Sequence, residues 1–560
     1  MLVPLLLAVA VQLPVLRPEV RVDGGAPGTP AAQALAVEGE TALLAWRADQ
    51  PGGGAQIWAA VSGDHGLAWS APARVDADPG SSGKRLTSQS AAVADGSLFV
   101  AWLDRRNGSA DAYLRVRPAG IAPRAEMRLD DGFAPGAEDV QQLAMHVSDD
   151  GQTVVIVLAM TGGAPQADRL VALRSTDGGA SFAAPALLAL SPTGFPLAFH
   201  VVGLQLAADG QDLHVVWQDQ NFGTALWHQG SDDGGASWGP AMQLANGQLS
   251  ENDQFDVAVV GDRVAIAYAE VSALCGVSIV LSDDAGSTWT PPVRVANSLS
   301  PACVDRSPSV FLAPQHVIVG WADDRIGVSR PYLAWSDDLG VSWTEKLLFG
   351  AYGTHVRLDG NPENGVFGAF WNGQAQAYVT WSRSATPAPG TVFTRTAVSG
   401  GTTLDDVLLG YDPQYGDFLC AWRLDPGSGG ALWAGGFRNA QLEALGPFTI
   451  GGQVAFVGTG FPESETGNRL QVFASLAPGA ATLPLDRRRI GLAPGALLSS
   501  TLGNPAFQAQ IVAGGGGATG VQLLPPTLPV GTSLYFSAVS HSIGPVLFGS
   551  ITDVITRTVQ

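Results

Sequence analysis

The sequence predicts an all-β chain: a multi-bladed β-propeller, a ring of four-stranded repeats, followed by a small β-sandwich-like domain. Three observations lead there. A Ser-x-Asp-x-Gly-x-(Ser/Thr)-Trp turn returns along the first two thirds of the 560 residues. An apolar strand ending in an aromatic residue returns at a period of about fifty, the length of a propeller blade. The 70 Gly and 37 Pro, with only 14% charged residues, suit short strands joined by tight turns. Helical repeats are excluded because no long stretch carries the 3.6-residue apolar period with capping residues.

The strict copies of the turn place Ser231, Asp233, Gly235 and Trp238, then Ser282, Asp284, Gly286 and Trp289, then Ser336, Asp338, Gly340 and Trp343. Looser copies place Ser62, Asp64, Gly66 and Trp69, and Ser175, Asp177, Gly179 and Phe182. The carboxylate accepts backbone N–H bonds across the turn, Gly supplies a positive φ, the hydroxyls tie the loop to itself and the aromatic packs on the sheet below. The motif resembles the Asp box, or bacterial neuraminidase repeat, of the sialidase-like β-propellers. That resemblance implies structural turns set away from any active face.

The Asp-box aspartates stand at 64, 177, 233, 284 and 338, so the first interval, 113 residues, spans two repeats. The intervening unit keeps its strands, Leu98 to Trp102 and Ala112 to Val116, while its box has decayed to Arg117-Pro118-Ala119-Gly120. The aromatic ruler runs through Trp46, Trp102, Trp217, Tyr268, Trp321, Trp371 and Trp422, with Val154 to Met160 filling the gap. This counts eight units, or seven if the last belongs to the following domain. In the second unit the strands read Ser88 to Val93, Leu98 to Trp102, Ala112 to Val116 and Ala125 to Leu129. Glu19 to Asp23 is left over at the front, and the last unit, Asp405 to Phe437, shows three strands. A ring hides its sheet edges, so the spare strand is expected to complete the last unit. The resemblance implies six blades in the familiar sialidase propeller.

Residues 1–16 are apolar and contain Ala8-Val9-Ala10, a small-x-small cleavage pattern without a basic n-region. They read as a signal peptide, with a buried first strand as the alternative; a signal peptide places the chain outside the cell, in the periplasm or at the cell surface. No other apolar run has bilayer length, so no transmembrane anchor is expected in the mature chain. The propeller is expected over 17–438. The β-sandwich-like domain, over 439–560, rests on strand pattern alone.

A formal charge of −20 opposes nonspecific binding to nucleic acid or anionic membrane. Cys275 and Cys303 fall in neighbouring loops and form a candidate disulfide, whereas Cys420 lies in an apolar strand. Three cysteines so spaced make no zinc site, and no P-loop, zincin, nucleophile-elbow or EF-hand motif is present. No cofactor is expected.

In a four-stranded meander the boxes occupy the 3–4 turns, so the 2–3 and 4–1 connections gather at the other end of the ring. That end collects Asp104, Arg105, Arg106, Asp219, Glu270, Asp305, Arg306, Asp323, Asp324 and Arg325 as a candidate ligand face. Recurring carboxylates and guanidiniums there suit a polar ligand, or else they are ion pairs repeated because the unit repeats. The sialidase resemblance implies three arginines on a substrate carboxylate, a Tyr nucleophile assisted by Glu, and an Asp acid/base. Arg105 or Arg106, Arg306 and Arg325 could supply the first, Glu270 the base, and Tyr352 or Tyr378 the nucleophile; the family's early Arg-Ile-Pro motif is missing. Three readings follow: a module binding glycans or extracellular proteins, an exo-acting glycosidase with a diverged site, or a structural surface protein with no small ligand.

Overall fold

Strand patterning organises the chain into successive four-stranded antiparallel meanders. The computed structural model describes residues 19–560 apart from short breaks, the longer ones being 162–167, 191–200, 247–253, 271–275, 297–306, 383–395, 482–489, 512–516, 524–528 and 543–547. In chain order the meanders are sheet I (Thr29–Glu38 to Ala73–Arg74), sheet II (Ala91–Ala94 to Met127–Arg128), sheet III (Asp139–Val147 to Ala186–Leu190) and sheet IV (Val201–Asp209 to Met242–Asn246). Sheets V (Phe255–Val260 to Val293–Arg294), VI (Ser309–Ala313 to Thr344–Leu347) and VII (Thr354–Asn361 to Thr396–Ala397) follow. Sheet VIII holds Leu408–Asp412, Asp417–Asp425 and Ala431–Arg438, with a short fifth strand, Thr402–Thr403, on Asp417–Asp425, and Val20–Arg21 adds its outer strand, pairing Val20 with Ala434 and Arg21 with Trp433. The spare N-terminal segment therefore completes the last sheet, as edge protection demands.

The first strand of each sheet packs on the first strand of the next, and the first strand of sheet VIII packs on that of sheet I. The meanders thus close on themselves around a common axis, the arrangement of a β-propeller. Side chains of these inner strands reach across the junctions. Gln142 Nε2 donates to Val202 O at 3.2 Å, Gln205 Nε2 to Phe255 O at 2.7 Å, Val310 N to Asp256 at 2.9 Å and Tyr411 N to Asp359 at 2.9 Å. Each tie satisfies a backbone group on a sheet edge that would otherwise face the axis. The core lies between sheets. The ruler residues Trp46, Trp102, Trp217, Trp321, Trp371 and Trp422 are all at most 1% exposed.

In every copy of the repeated turn the Ser hydroxyl donates to the Asp carboxylate at 2.7–2.9 Å and accepts from the Gly amide at 2.7–2.9 Å. In the four copies with a second hydroxyl, Ser181, Ser237, Thr288 and Ser342 donate to the other carboxylate oxygen at 2.6 Å. These hydroxyls hold the Asp233 and Asp338 carboxyls down at about 2. The residue after each Asp is also left-handed: Gly178 and Gly234 in two copies, but His65, Ala285 and Leu339 in three.

Beyond sheet VIII the strands form two further sheets, one built on Gln441–Leu445 and Gln453–Thr459, the other on Arg469–Ser475 and Ser533–His541. They share a core of Leu442, Phe456, Val472 and Phe536. A short helix, Ala496–Thr501, packs beside Arg469–Ser475. The 1–16 segment and both loop cysteines, Cys275 and Cys303, lie outside the described residues, so the signal peptide and the disulfide are not seen. Cys420 is a buried free thiol. No helix among the described residues is long and apolar enough to cross a membrane.

Candidate functional site

The second strand of each sheet except sheet III carries its ruler aromatic into the core, which leaves the next few residues at the end of the ring opposite the repeated turns. In sheets II and VI this segment reads Trp-x-Asp-x-Arg, and the two copies fold identically. Asp104 and Asp323 are fully buried. Each accepts from the guanidinium and the backbone amide of the arginine two residues on: Arg106 Nε donates to Asp104 at 2.9 Å, and Arg325 Nε to Asp323 at 3.0 Å. The far guanidinium nitrogen is taken by Glu126 in one copy and Glu345 in the other. The planes rest on Tyr113 and Tyr332, 4.1 and 4.2 Å from the ring centroids. Burial works against both cations, but the bonds to their carboxylates outweigh it and hold them more firmly protonated than free arginine. Arg106 and Arg325 are thus tied up inside their own sheets and are not presented to a ligand.

The other residues expected at this end are dispersed. Arg105 is exposed and pairs with Asp139 of sheet III at 2.9 Å. Asp219 and Glu270 are half-buried at the ends of Asp212–Asp219 and Arg263–Glu270. Asp305 and Arg306 lie outside the described residues, as does the side chain of Tyr378. Beneath sheets I and II, Lys84 is fully buried with its ammonium 2.6 Å from Asp76 and 2.8 Å from Asp78. This is structural pairing between neighbouring units.

One place at this end keeps unused hydrogen-bonding capacity. The loop from Asp324 to Arg330 is stitched to the start of sheet VII, where Gly353 N donates to Ser329 O at 2.9 Å and Ser329 Oγ to Gly353 O at 3.0 Å. Asp324 Oδ1 and Arg330 Nε are both buried atoms without a hydrogen-bond partner. Beside them Val328 is 46% and Tyr352 40% exposed, and His355 holds a left-handed backbone at φ 49°. An acceptor, a guanidinium donor and an exposed aromatic share one corner of the ring. Arg330 escaped the sequence reading because it starts a strand instead of following a ruler aromatic.

At the opposite, turn-bearing end, His65, Asp412 and Asp417 each bring a donor atom within 4.8 Å of the others, the one such group among the described residues. His65 Nδ1 lies 2.8 Å from Asp417 Oδ2. No sequence motif signals it, because the donors come from sheets I and VIII. A cavity of about 440 Å³ at the same end, between sheets III and IV, is lined by Asp149, Asp150, Asp209, Asp233, Arg174 and His146.

No family model and no curated protein matches this chain. Among solved structures it is similar to an α-L-arabinanase of Penicillium chrysogenum complexed with arabinobiose, at 15% identity and TM-score 0.35, over 64% of this chain and 94% of that one. It is also similar to the phage phi92 endosialidase, at 14% identity and TM-score 0.33, over 75% and 68%. A third is the β-propeller domain of the trilobed protease of Pyrococcus furiosus, at 8% identity and TM-score 0.36, over 60% and 90%. The functional reading therefore rests on the chain's own residues.

Proposed function

We propose that this chain is a secreted, eight-bladed Asp-box β-propeller over 17–438 with an appended β-sandwich over 439–560, and that it acts as a carbohydrate-binding module. The observation that carries the ligand site is the pair Asp324 Oδ1 and Arg330 Nε, buried and without hydrogen-bond partners beside exposed Tyr352. A buried polar atom left unpaired costs about 1–3 kcal/mol, and a ligand hydroxyl or ring oxygen bonding to it recovers that penalty. Tyr352 gives a sugar ring an apolar face to stack on. The eight-blade count is supported by the run of inner-strand contacts from sheet I round to sheet VIII and back.

The internal pairing of Arg106 and Arg325 weighs against the exo-glycosidase alternative, since two of the arginines assigned to a substrate carboxylate are already engaged. The test is a glycan array on the full chain beside Asp324→Ala, Arg330→Ala and Tyr352→Ala, with hydrolysis of fluorogenic glycosides run in parallel. Binding lost in all three variants, without hydrolysis, is the expected result. Turnover abolished by Arg106→Ala or Arg325→Ala would overturn it in favour of the enzyme.

A further inference from the structure

The repeated turn has a fixed seat. Its glycine lies against the preceding sheet, and a methyl group placed on that glycine would strike whatever fills the seat. For Gly66 that is Leu419, for Gly179 it is Leu114 and Val116, for Gly235 it includes Val155, and for Gly340 it is Leu281. Four of the five seats are aliphatic. The fifth, under Gly286, is a pair of histidines: a methyl there would lie 2.5 Å from His228 Cε1 and 3.3 Å from His214 Nδ1.

These imidazoles are 1% and 2% exposed. They stack 5.2 Å apart, share one hydrogen bond of 2.9 Å between His214 Nδ1 and His228 Nε2, and leave His214 Nε2 and His228 Nδ1 without partners. Trp289 of the same turn meets His228 edge-on at 4.9 Å. The surroundings are apolar. Val216, Leu226, Val264, Ile266 and Val280 fill the layer between sheets IV and V.

We propose that the His214–His228 pair is an acid-operated catch, which holds the turn of sheet V on sheet IV while both rings are neutral and releases it when a proton enters. One shared proton satisfies the inner pair of nitrogens while the total charge is zero. The first added proton takes the outer lone pair of the donor ring and leaves a cation in a dry seat, and the next, on the acceptor ring, sets two N–H donors face to face. Among the described residues no carboxylate is positioned to neutralise that cation. On the pair's own strands and loops the acids are Asp209, Asp212, Asp219, Asp232 and Asp233, and on the facing sheet they are Asp256, Asp262, Glu270, Asp283 and Asp284, with Arg263 bound to Asp283 and Ala313 O. None of these acts on either ring. Burial lowers His214 to about 4, and burial followed by its partner lowers His228 to about 3.

The sign follows from linkage. Both folded values lie below the unfolded 6.5, so the opened state binds more protons and the junction loses stability as pH falls from 6.5 towards 4. With both rings released on opening, the local opening constant should rise on the order of a hundredfold between pH 6.5 and pH 5.

The experiment is amide hydrogen exchange of the full chain at pH 6.5 and pH 5, corrected for intrinsic rates. The turn over 282–290 is compared with the turn over 336–343, whose seat is Leu281. In wild type, protection at 282–290 should collapse on acidification while 336–343 holds. In His214→Leu/His228→Leu, which installs the aliphatic seat of the other repeats, 282–290 should hold as well. His228→Gln, which keeps a hydrogen-bonding partner for His214 and removes one titration, should show a smaller collapse than wild type and covers a misfolded double variant. Equal pH dependence of the two turns in wild type, or an unchanged collapse in the variants, would overturn the proposal.

Discussion

Lys84 Nζ lies 2.6 Å from Asp76 Oδ2, and neither side chain has any solvent exposure. The same ammonium donates to Asp78 at 2.8 Å and to Ala55 O at 3.0 Å, so a single cation gathers sheets I and II at one point. Removing it leaves the buried Asp76 carboxylate with Arg74, 3.1 Å away, as its remaining cation, and breaking one partner of a buried network costs more than the pair itself contributes. Lys84→Met is expected to destabilise the chain by about 3–5 kcal/mol in denaturant melts. A loss below about 1 kcal/mol would mean that Arg74 alone compensates the Asp76 carboxylate.

Arg325 and Arg330 sit five residues apart and are expected to behave oppositely. Arg325→Lys removes the forked bond to Asp323 and the stacking on Tyr332, and should lower stability by about 1–3 kcal/mol while leaving glycan affinity unchanged. Arg330→Ala should do the reverse. Melting curves and titration calorimetry on the two variants separate the roles.

The serine of the repeated turn makes more bonds than its size suggests. Ser231 is buried, donates to Asp233 at 2.9 Å and accepts from Gly235 N at 2.9 Å. Ser231→Ala leaves that buried amide unpaired and is expected to cost about 1–3 kcal/mol. Measured beside it, Ser237→Ala, at an exposed position, should cost clearly less.

The carboxylate of that turn sets an acid limit. Asp233 is lowered from 3.8 to about 2, first by the Ser237 hydroxyl and then by the Ser237 amide. A depressed carboxylate stabilises the fold above its unfolded value and loses that contribution as pH falls through its folded one. The stability deficit of Asp233→Asn should therefore be full at pH 6 and shrink as pH falls from about 4 through about 2. A deficit independent of pH would show that shape, and not charge, holds the turn.

Leu339 occupies a left-handed position at φ 60° where the copies at Gly178 and Gly234 have glycine, and its side chain is 43% exposed. Leu339→Gly is expected to be neutral or stabilising by up to about 1 kcal/mol, although glycine normally costs conformational entropy. A melting temperature below wild type would show that Leu339 packs more than its exposure indicates.

The parts of this fold that repeat were legible in the sequence. The turn and the ruler aromatics read correctly because each is a local solution used many times, and Trp46 to Trp422 are all buried. The strand ends were less exact: the second strand of sheet II runs on from Trp102 to Asn107, carrying Asp104 and Arg106 into the ladder. The second strand of sheet VI stops at Asp323, yet the same pairing forms there, so the clamp comes from the side chains and not from strand length. Its signature was present at fixed offsets, Trp102, Asp104, Arg106, Tyr113 and Glu126 against Trp321, Asp323, Arg325, Tyr332 and Glu345. The corner at Asp324, Arg330 and Tyr352 and the His65, Asp412 and Asp417 group could not be read this way. They are assembled by neighbouring sheets, and nothing local in the chain records which distant segments meet.

The pairing of Val20 with Ala434 has a consequence for how the chain is made. The strand that finishes sheet VIII is synthesised well before its partner, which appears some four hundred residues later. Loop closure over that span adds little to the equilibrium cost, which grows only as the logarithm of length, but it is a slow event to search for. Until it happens, Ala431–Arg438 presents an open edge. During biogenesis the chain is most vulnerable to pairing with a second copy of itself in that interval, and loss of Val20 and Arg21 would prolong it indefinitely.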